Sequence, residues 1–415
     1  MDTNRSYVLL LGLGTSYFLR ERAFSGAKDA SALPVWMTSL DPLRSPQRFF
    51  DRVIAADDGY AESVLAAVAE WKRRGWLPAA VVPVNDWGVP TASAVAKEYG
   101  LPGLSADSAH VTREKYAMKA RFEAAGLPTP RSASVTSEAE MLGAAGEIGF
   151  PVVIKPADFS GSGGVRLART QDEAIAAFAA SVEHIERYRD DFPIDGTRYL
   201  VEQYVDSQEE VSVEVLCHGD RRKTLTVTEK FLSAPPVFAE VGHLVPSHRT
   251  GEANLRTLAE RACEALGIDR GIAHVEIKFD STGAPWLIEA AARPGGDGIM
   301  DQMERAYGYN PYALHVASYL GIDPFPLVQD EPVCSSAVAF LKARPGEVTS
   351  VRIPEKLPES VVSVVTLKKP GDVAKPLADW STRDGVVEMV WDEIFTERTT
   401  EPVEIADGLS EEIFG

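Results

Sequence analysis

The stretch Ala273 to Asp297, AHVEIKFDSTGAPWLIEAAARPGGD, constrains the fold more than any other part of the chain. It holds two apolar, strand-like runs, His274–Phe279 and Trp286–Ala290, on either side of Asp280-Ser-Thr-Gly-Ala-Pro285. Turn residues between two such runs are the usual sign of a β-hairpin. A turn centred between Thr282 and Gly283 sets Glu276 opposite Glu289. Side chains that face each other across a strand pair have Cβ atoms roughly 4.5–5.5 Å apart, and like charges there repel. Two carboxylates so placed need a cation between them. Oxygen-only ligands suit Mg²⁺, which takes one or two carboxylates together with the phosphates of a nucleotide. The competing reading is a solvated hairpin carrying two unrelated glutamates. Against it, Glu289 sits inside an apolar run and Arg293-Pro-Gly-Gly follows at once. An arginine beside a carboxylate pair offers a planar fork for anionic oxygens.

A chain of 415 residues is too long for one compact core and predicts two to four domains or subdomains. The net charge of −19 argues against non-specific nucleic-acid binding and against anionic membrane surfaces, while leaving room for a local nucleotide site. Cys217, Cys263 and Cys334 are far apart and odd in number, so neither a disulfide framework nor a structural zinc site is expected. The apolar run near the N-terminus, Tyr7–Leu13, is short and ends in glycine. It reads as a buried strand rather than a signal peptide or membrane span, and a cytoplasmic protein is expected.

The first hundred residues alternate strands and helices: Tyr7–Leu13, Arg52–Ala56 and Ala79–Val84 as strands, Tyr60–Gly75 and Thr91–Tyr99 as helices. That alternation predicts a doubly wound α/β domain. The glycine turn after the first strand, Gly12-Leu-Gly14-Thr15-Ser16, departs from the GxGxxG pattern and is as well explained by a tight strand–helix connection. Thr112–Ala125 reads as a helix with Thr112 as N-cap and Lys115 in the first turn, where a cation opposes the helix dipole and wants solvent or an anion.

Phe150–Ile154 is a buried strand pattern that ends in Lys155 and runs into the loop Ser160-Gly161-Ser162-Gly163-Gly164. Such a loop can lay backbone N–H groups and hydroxyls against phosphate oxygens, with Lys155 as a point charge; a flexible hairpin loop is the alternative. No GKS/T opens a helix here, so it is not a Walker loop. Glu202, Gln203, Tyr204 and Val205 end a strand that could present its edge to an adenine, with Glu202 accepting from the exocyclic amine and Glu210 taking ribose hydroxyls. Alternating glutamates also mark ordinary solvent faces. Phe238 to Ser247 reads as a loop holding Glu240 and His243, and the histidine serves equally as a surface residue or a substrate contact. Beyond about Glu331 the pattern turns to short strands.

This order of elements resembles the ATP-grasp superfamily: a helix lysine, a strand-end lysine before a Gly/Ser loop, the E-x-Y-V and E-V-S-V-E strands, and paired glutamates before an arginine. The resemblance is close over residues 105–300 and is nearest to carboxylate–amine ligases of the dipeptide-forming type, which share the F-x-E-x-G-H-x-x-P block (Phe238 to Pro246) and the E-x-A-A-R form (Glu289 to Arg293). It implies an α/β and α+β fold in four parts. These are a doubly wound domain (1–110), a lid subdomain with the Gly/Ser loop (111–200), a catalytic antiparallel-sheet subdomain (201–325) and a small β-rich extension (326–415).

The resemblance further implies that Lys115, Lys155 and Ser160–Gly164 contact ATP phosphates, that Glu202 to Val205 hold adenine, and that Glu210 holds ribose. Glu276 and Glu289 would bind Mg²⁺, or Mn²⁺ in its place. Arg293 would steady the transferred phosphate, and Glu240 and His243 would line the amino-acid site. Ala291 stands where many ATP-grasp enzymes have a metal-binding asparagine, a departure shared with the dipeptide ligases. The expected partners are a small carboxylate and a small amine, with no nucleic acid and no membrane; a homodimer is the commonest assembly on general grounds. The rival expectations are a ligase with a non-amino-acid acceptor and a nucleotide-binding regulator without turnover.

Overall fold

The computed structural model of the chain describes residues 5–12, 21–39, 50–207 and 209–415. At the N-terminus, four parallel strands lie in the order Arg52–Ala55, Val35–Ser39, Arg5–Leu11, Trp76–Pro83. Strand residues alternate between faces, so Tyr7, Leu9 and Leu11 pack against Val64, Val68 and Val95 of the helices Ala61–Arg73 and Gly88–Tyr99. Val8 and Leu10 face the other way, toward Ala23 and Ala27 and the late helix Pro311–Tyr319. Of the glycine turn, only Gly12 falls within the described residues. Its φ of +78° suits glycine, and its N–H donates to Asp58 Oδ2 at 2.6 Å.

The expected helix from Thr112 is two pieces. Thr112 closes the short helix Ala106–Val111 and donates its hydroxyl to Ser108 O, so it is a C-terminal residue there rather than an N-cap. The next helix is Lys115–Ala124, with Glu114 at its N-cap position and no side-chain cap. Lys115 is therefore its first residue, where N–H groups have no partner within the helix.

A four-stranded antiparallel sheet follows, in the order Ser132–Val135, Tyr199–Gln203, Val152–Pro156, Arg166–Ala168, backed by the helices Glu138–Ile148 and Gln171–Tyr188. The largest sheet has eight antiparallel strands. In order across it these are Pro285–Ala291, Arg270–Phe279, Glu210–His218, Arg221–Leu232, Glu240–Val245, Ser335–Leu341, Gly385–Trp391 and Val361–Thr366. The last three, from beyond residue 330, continue this sheet, and the helix Glu401–Ile413 packs its Ala406 and Leu409 against them.

Two irregularities in this sheet place functional side chains. Next to the turn, the hairpin pairs Phe279 with Pro285, Lys278 with Trp286 and Ile277 with Leu287, so it is centred on Thr282 and not between Thr282 and Gly283. A bulge at Ile288 then shifts the register, and Glu276 does pair with Glu289. The segment expected as a loop around Glu240 is instead the strand Glu240–Val245, because its backbone completes ladders to strands on both sides. A bulge at Val241, between the pairs Leu232–Glu240 and Phe231–Gly242, turns Glu240 and His243 to one side, although residues three apart in a regular strand point oppositely. All three cysteines are buried and free. Among the described residues no helix is long and apolar enough to cross a membrane.

Candidate active site

The two faces of the strand Glu210–His218 differ completely. Val211, Val213 and Val215 are fully buried against the helix Ala253–Ala265. Glu210, Ser212 and Glu214 point the other way, with His274, Glu276 and Lys278 of the neighbouring strand across from them in register. This polar face is also withdrawn from solvent: Glu210 is 6% exposed and Glu214 0%. Glu210, His274, Glu276 and Lys278 of this face line a cavity together with Ser160 to Gly163 of the Gly/Ser loop.

The cavity gathers most of the residues singled out in the sequence: Lys115, Lys155, Ser160 to Gly163, Glu202 to Val205, Glu210, Glu240, Glu276, Glu289 and Arg293. Gly164 and His243 do not line it. Within the loop, Gly161 and Ser162 adopt φ of +68° and +60°, and a Cβ on Gly163 would collide with Phe159 and His184, so the backbone is held in a form side chains resist. His243 lies under Glu240. It is fully buried, its Nδ1 is 2.7 Å from Glu240 Oε1, and its Nε2 is buried without a partner among the described residues. It can orient Glu240 but does not reach the cavity.

Each carboxylate has a cation beside it. Glu289 is 3.2 Å from Lys115 Nζ, which also donates to Phe159 O at 2.5 Å. Glu276 accepts from Lys230 Nζ at 2.6 Å. Lys230 further lies 3.4 Å from Glu240 and 3.5 Å from Glu210, a buried cation shared by three carboxylates. Burial favours the neutral forms of Glu276 and Glu240, but Lys230 overrides it and holds both carboxyls well below their usual range. Burial would likewise lower the His274 imidazole, yet Glu214, bonded to its Nδ1, pushes it up to about 9.

Glu202 has a different place from the one expected of its side chain. Its carboxylate is committed to Lys155 Nζ at 2.8 Å and Lys119 Nζ at 3.3 Å. Burial outweighs this pairing at Lys119, whose ammonium is brought down to about 8, while Glu202 keeps Lys155 raised. Arg293 meets Asp86 of the N-terminal unit through Nε at 3.0 Å and Nη2 at 2.9 Å. Arg293 and Arg113 hold Asp86 down to about 2 against its burial. That pair ties the hairpin to the parallel-sheet unit.

The residues not foreseen are Lys119, Lys230, His274, Asp86 and Arg383. Lys119 and His274 lie on elements already read as helix and strand, whereas Lys230 lies on the strand Arg221–Leu232, which was not foreseen and whose alternation is the one sequence signal that could have marked it. Among the described residues no cluster of three or more His, Cys, Asp or Glu is placed to hold a metal alone. Glu276 and Glu289, paired across the hairpin and both facing the cavity, fit a cation that takes its remaining oxygens from a nucleotide.

Residues 148–301 match the ATP-grasp domain family. Among curated relatives, the chain is 25% identical to an alanine–anticapsin ligase of Bacillus subtilis over 244 residues, covering 55% of this chain and 51% of that one. It is 31% identical to a D-alanine–D-alanine ligase of Stutzerimonas stutzeri (strain A1501) over 228 residues, 54% of this chain and 63% of the other. The chain thus spans about half to two-thirds of the length of these relatives. Among solved structures, an L-amino acid ligase from Bacillus licheniformis superposes with a TM-score of 0.77 at 20% identity, covering 99% of this chain and 98% of that one.

Proposed function

We propose, from the premise that this chain carries an ATP-grasp domain on an ATP-grasp fold, that it is an ATP-dependent, ADP-forming carboxylate–amine ligase acting on amino acids or similar substrates. The observation that carries this reading is that Lys115, Lys155, the opposed pair Glu276 and Glu289, and Arg293 all line one cavity. That set suits a triphosphate, a divalent cation and an acyl group in line.

In this reading Lys115 and Lys155 give up their present carboxylate partners in part to the phosphates of ATP. The Ser160–Gly163 backbone closes over the same phosphates, and Glu202 keeps Lys155 charged and aimed. Residues 203–205 border the adenine and Glu210 the ribose. Glu276 and Glu289 would hold Mg²⁺, which when bound supplies positive charge to the β- and γ-phosphates. A substrate carboxylate oxygen attacks the γ-phosphorus and ADP leaves; the neutral amine then attacks the acyl carbon, and phosphate leaves and takes up the amine's proton. Arg293, fixed by Asp86, offers donors to the charge that develops on the transferred group. Glu240, oriented by His243, faces the amino group of a substrate. The loop keeps water from the acylphosphate.

Measuring ADP release with Mg²⁺-ATP against paired carboxylates and amines tests the proposal, with the condensed mass as second readout. Glu289→Gln and Arg293→Ala are expected to lower turnover by roughly 10²–10³-fold while circular dichroism remains that of the parent. Near-normal turnover in either variant would sink the assignment. ADP release only with a non-amino-acid amine would keep the ligase and replace its substrate class.

A further inference from the structure

Arg383 enters the cavity from a part of the chain that carries no recognised motif. It sits in the turn after the short 3-10 helix Trp380–Thr382, just before the strand Gly385–Trp391. Its side chain is 6% exposed and lines the cavity. The guanidinium lies 3.6 Å from the Phe340 ring centroid, and Nη1 donates to Asp297 Oδ2 at 2.7 Å. Its Nε is buried with no hydrogen-bond partner among the described residues. A guanidinium has five N–H donors, and buried donors are normally satisfied. Stacked on one ring and tied by one nitrogen, this fork is held in place with donor capacity unused.

Its surroundings indicate what the fork takes. Glu240 and Arg383 both line this cavity, so a carboxylate and a guanidinium border it together. Asp297, the partner, has φ of +52°, a backbone form uncommon outside glycine, and its carboxylate is 38% exposed. A strained, half-exposed carboxylate is a partner that an incoming anion can replace. The segment is also anchored to the phosphate loop: Trp380 lies where a Cβ on Gly161 would approach it to 2.5 Å, and Ser381 meets Tyr188 at 3.2 Å. Asp379 caps the turn through Ser381 and Thr382. Arg383 is thereby fixed relative to the nucleotide end of the cavity.

We propose that Arg383 is the specificity-determining residue that binds the non-reacting carboxylate of the amine substrate, so that the acceptor is an α-amino acid rather than a simple amine. The donor's carboxylate is consumed in the reaction, whereas the acceptor's is not and needs a permanent partner. The pair Glu240 and Arg383 supplies the two signs that an amino acid presents. The proposal rests on the ligase reading above for the word acceptor, but the anion site itself does not.

The test compares L-amino acids with their carboxamides, which keep the amine and lose the negative charge. The parent, Arg383→Gln and Arg383→Lys are assayed for ADP release and product mass. The parent is expected to favour the free acid by on the order of 100-fold in kcat/KM. Arg383→Gln should shrink that preference to within a few-fold, through KM for the amine substrate, with KM for ATP unchanged. Arg383→Lys should recover part of it, since an ammonium restores charge but not the fork. In parallel, binding of the same compounds is measured by calorimetry with Mg²⁺ and a non-hydrolysable ATP analogue. Free acids that bind the parent, lose affinity in Arg383→Gln and give no ADP would keep the site and overturn the ligase. A preference for the acid that survives Arg383→Gln overturns the site and leaves the ligase standing. Failure of every free acid to bind the parent also overturns the site.

Discussion

The two faces of the central sheet are built by the same strands and solve opposite problems. One face closes a core with Val211, Val213, Val215, Val275 and Ile277, all fully buried. The other buries Glu210, Glu214, Lys230 and His274 and leaves Glu276 and Lys278 at a cavity. On the first face each group is stabilised by leaving water, to the extent of about 1.5–3 kcal/mol for a whole apolar side chain. On the second, leaving water is unfavourable and is offset only by pairing of opposite charges. Stability is therefore local and additive on the apolar face, and shared among partners on the polar one. A face of paired charges carries groups that can do chemistry, and a valine layer does not.

That contrast can be broken most severely at Lys230. Lys230→Met takes the shared cation from Glu210, Glu240 and Glu276, and removing one partner from a buried charge cluster costs about 3–5 kcal/mol. Urea unfolding should show a correspondingly lower midpoint, and an unmoved midpoint would mean the three carboxylates do not depend on it. Asp301 sharpens the comparison from outside both faces. Burial and then the nearby Glu388 push its carboxyl up to about 6, and Arg305 and Arg22 do not reverse this. Its folded pKa lies above the unfolded value, so its contribution is complete at pH below that value and is lost as pH rises through about 6. Asp301→Asn should match the parent's thermal midpoint near pH 4 and exceed it above pH 6, by at most about 3 kcal/mol in unfolding free energy. A difference independent of pH would assign the effect to packing instead. On the apolar face, Val213→Ala should lower stability by about 2 kcal/mol without changing turnover per folded molecule. Lost turnover there would show that the two faces are not separable.

How legible each residue was follows from how far its information travels along the chain. Glu276 and Glu289 are joined by a short turn, so alternation and turn residues suffice to oppose them. Even so, the turn is centred on Thr282 and the pair meets only because of the bulge at Ile288, a detail no period of two contains. Glu240 and His243 were visible as a spaced pair, yet the strand and the bulge at Val241 decide that the histidine supports the glutamate from below. Glu202 was visible as a strand glutamate, but its commitment to Lys155 and Lys119 depends on a helix and a second strand arriving beside it. Asp86 and Arg383 carried no local signal at all.

By itself the sequence determined the two alternating runs of the hairpin and where the Gly/Ser loop falls, because side-chain alternation and turn chemistry are properties of a few neighbouring residues. The tertiary structure alone decided that the polar face is covered and which cation each carboxylate meets. Arg293 reaches Asp86 across 207 residues of sequence, and Arg383 reaches Asp297 across 86. Charge pairing acts through space over a few ångströms, so it is set by how the sheets pack and not by position along the chain.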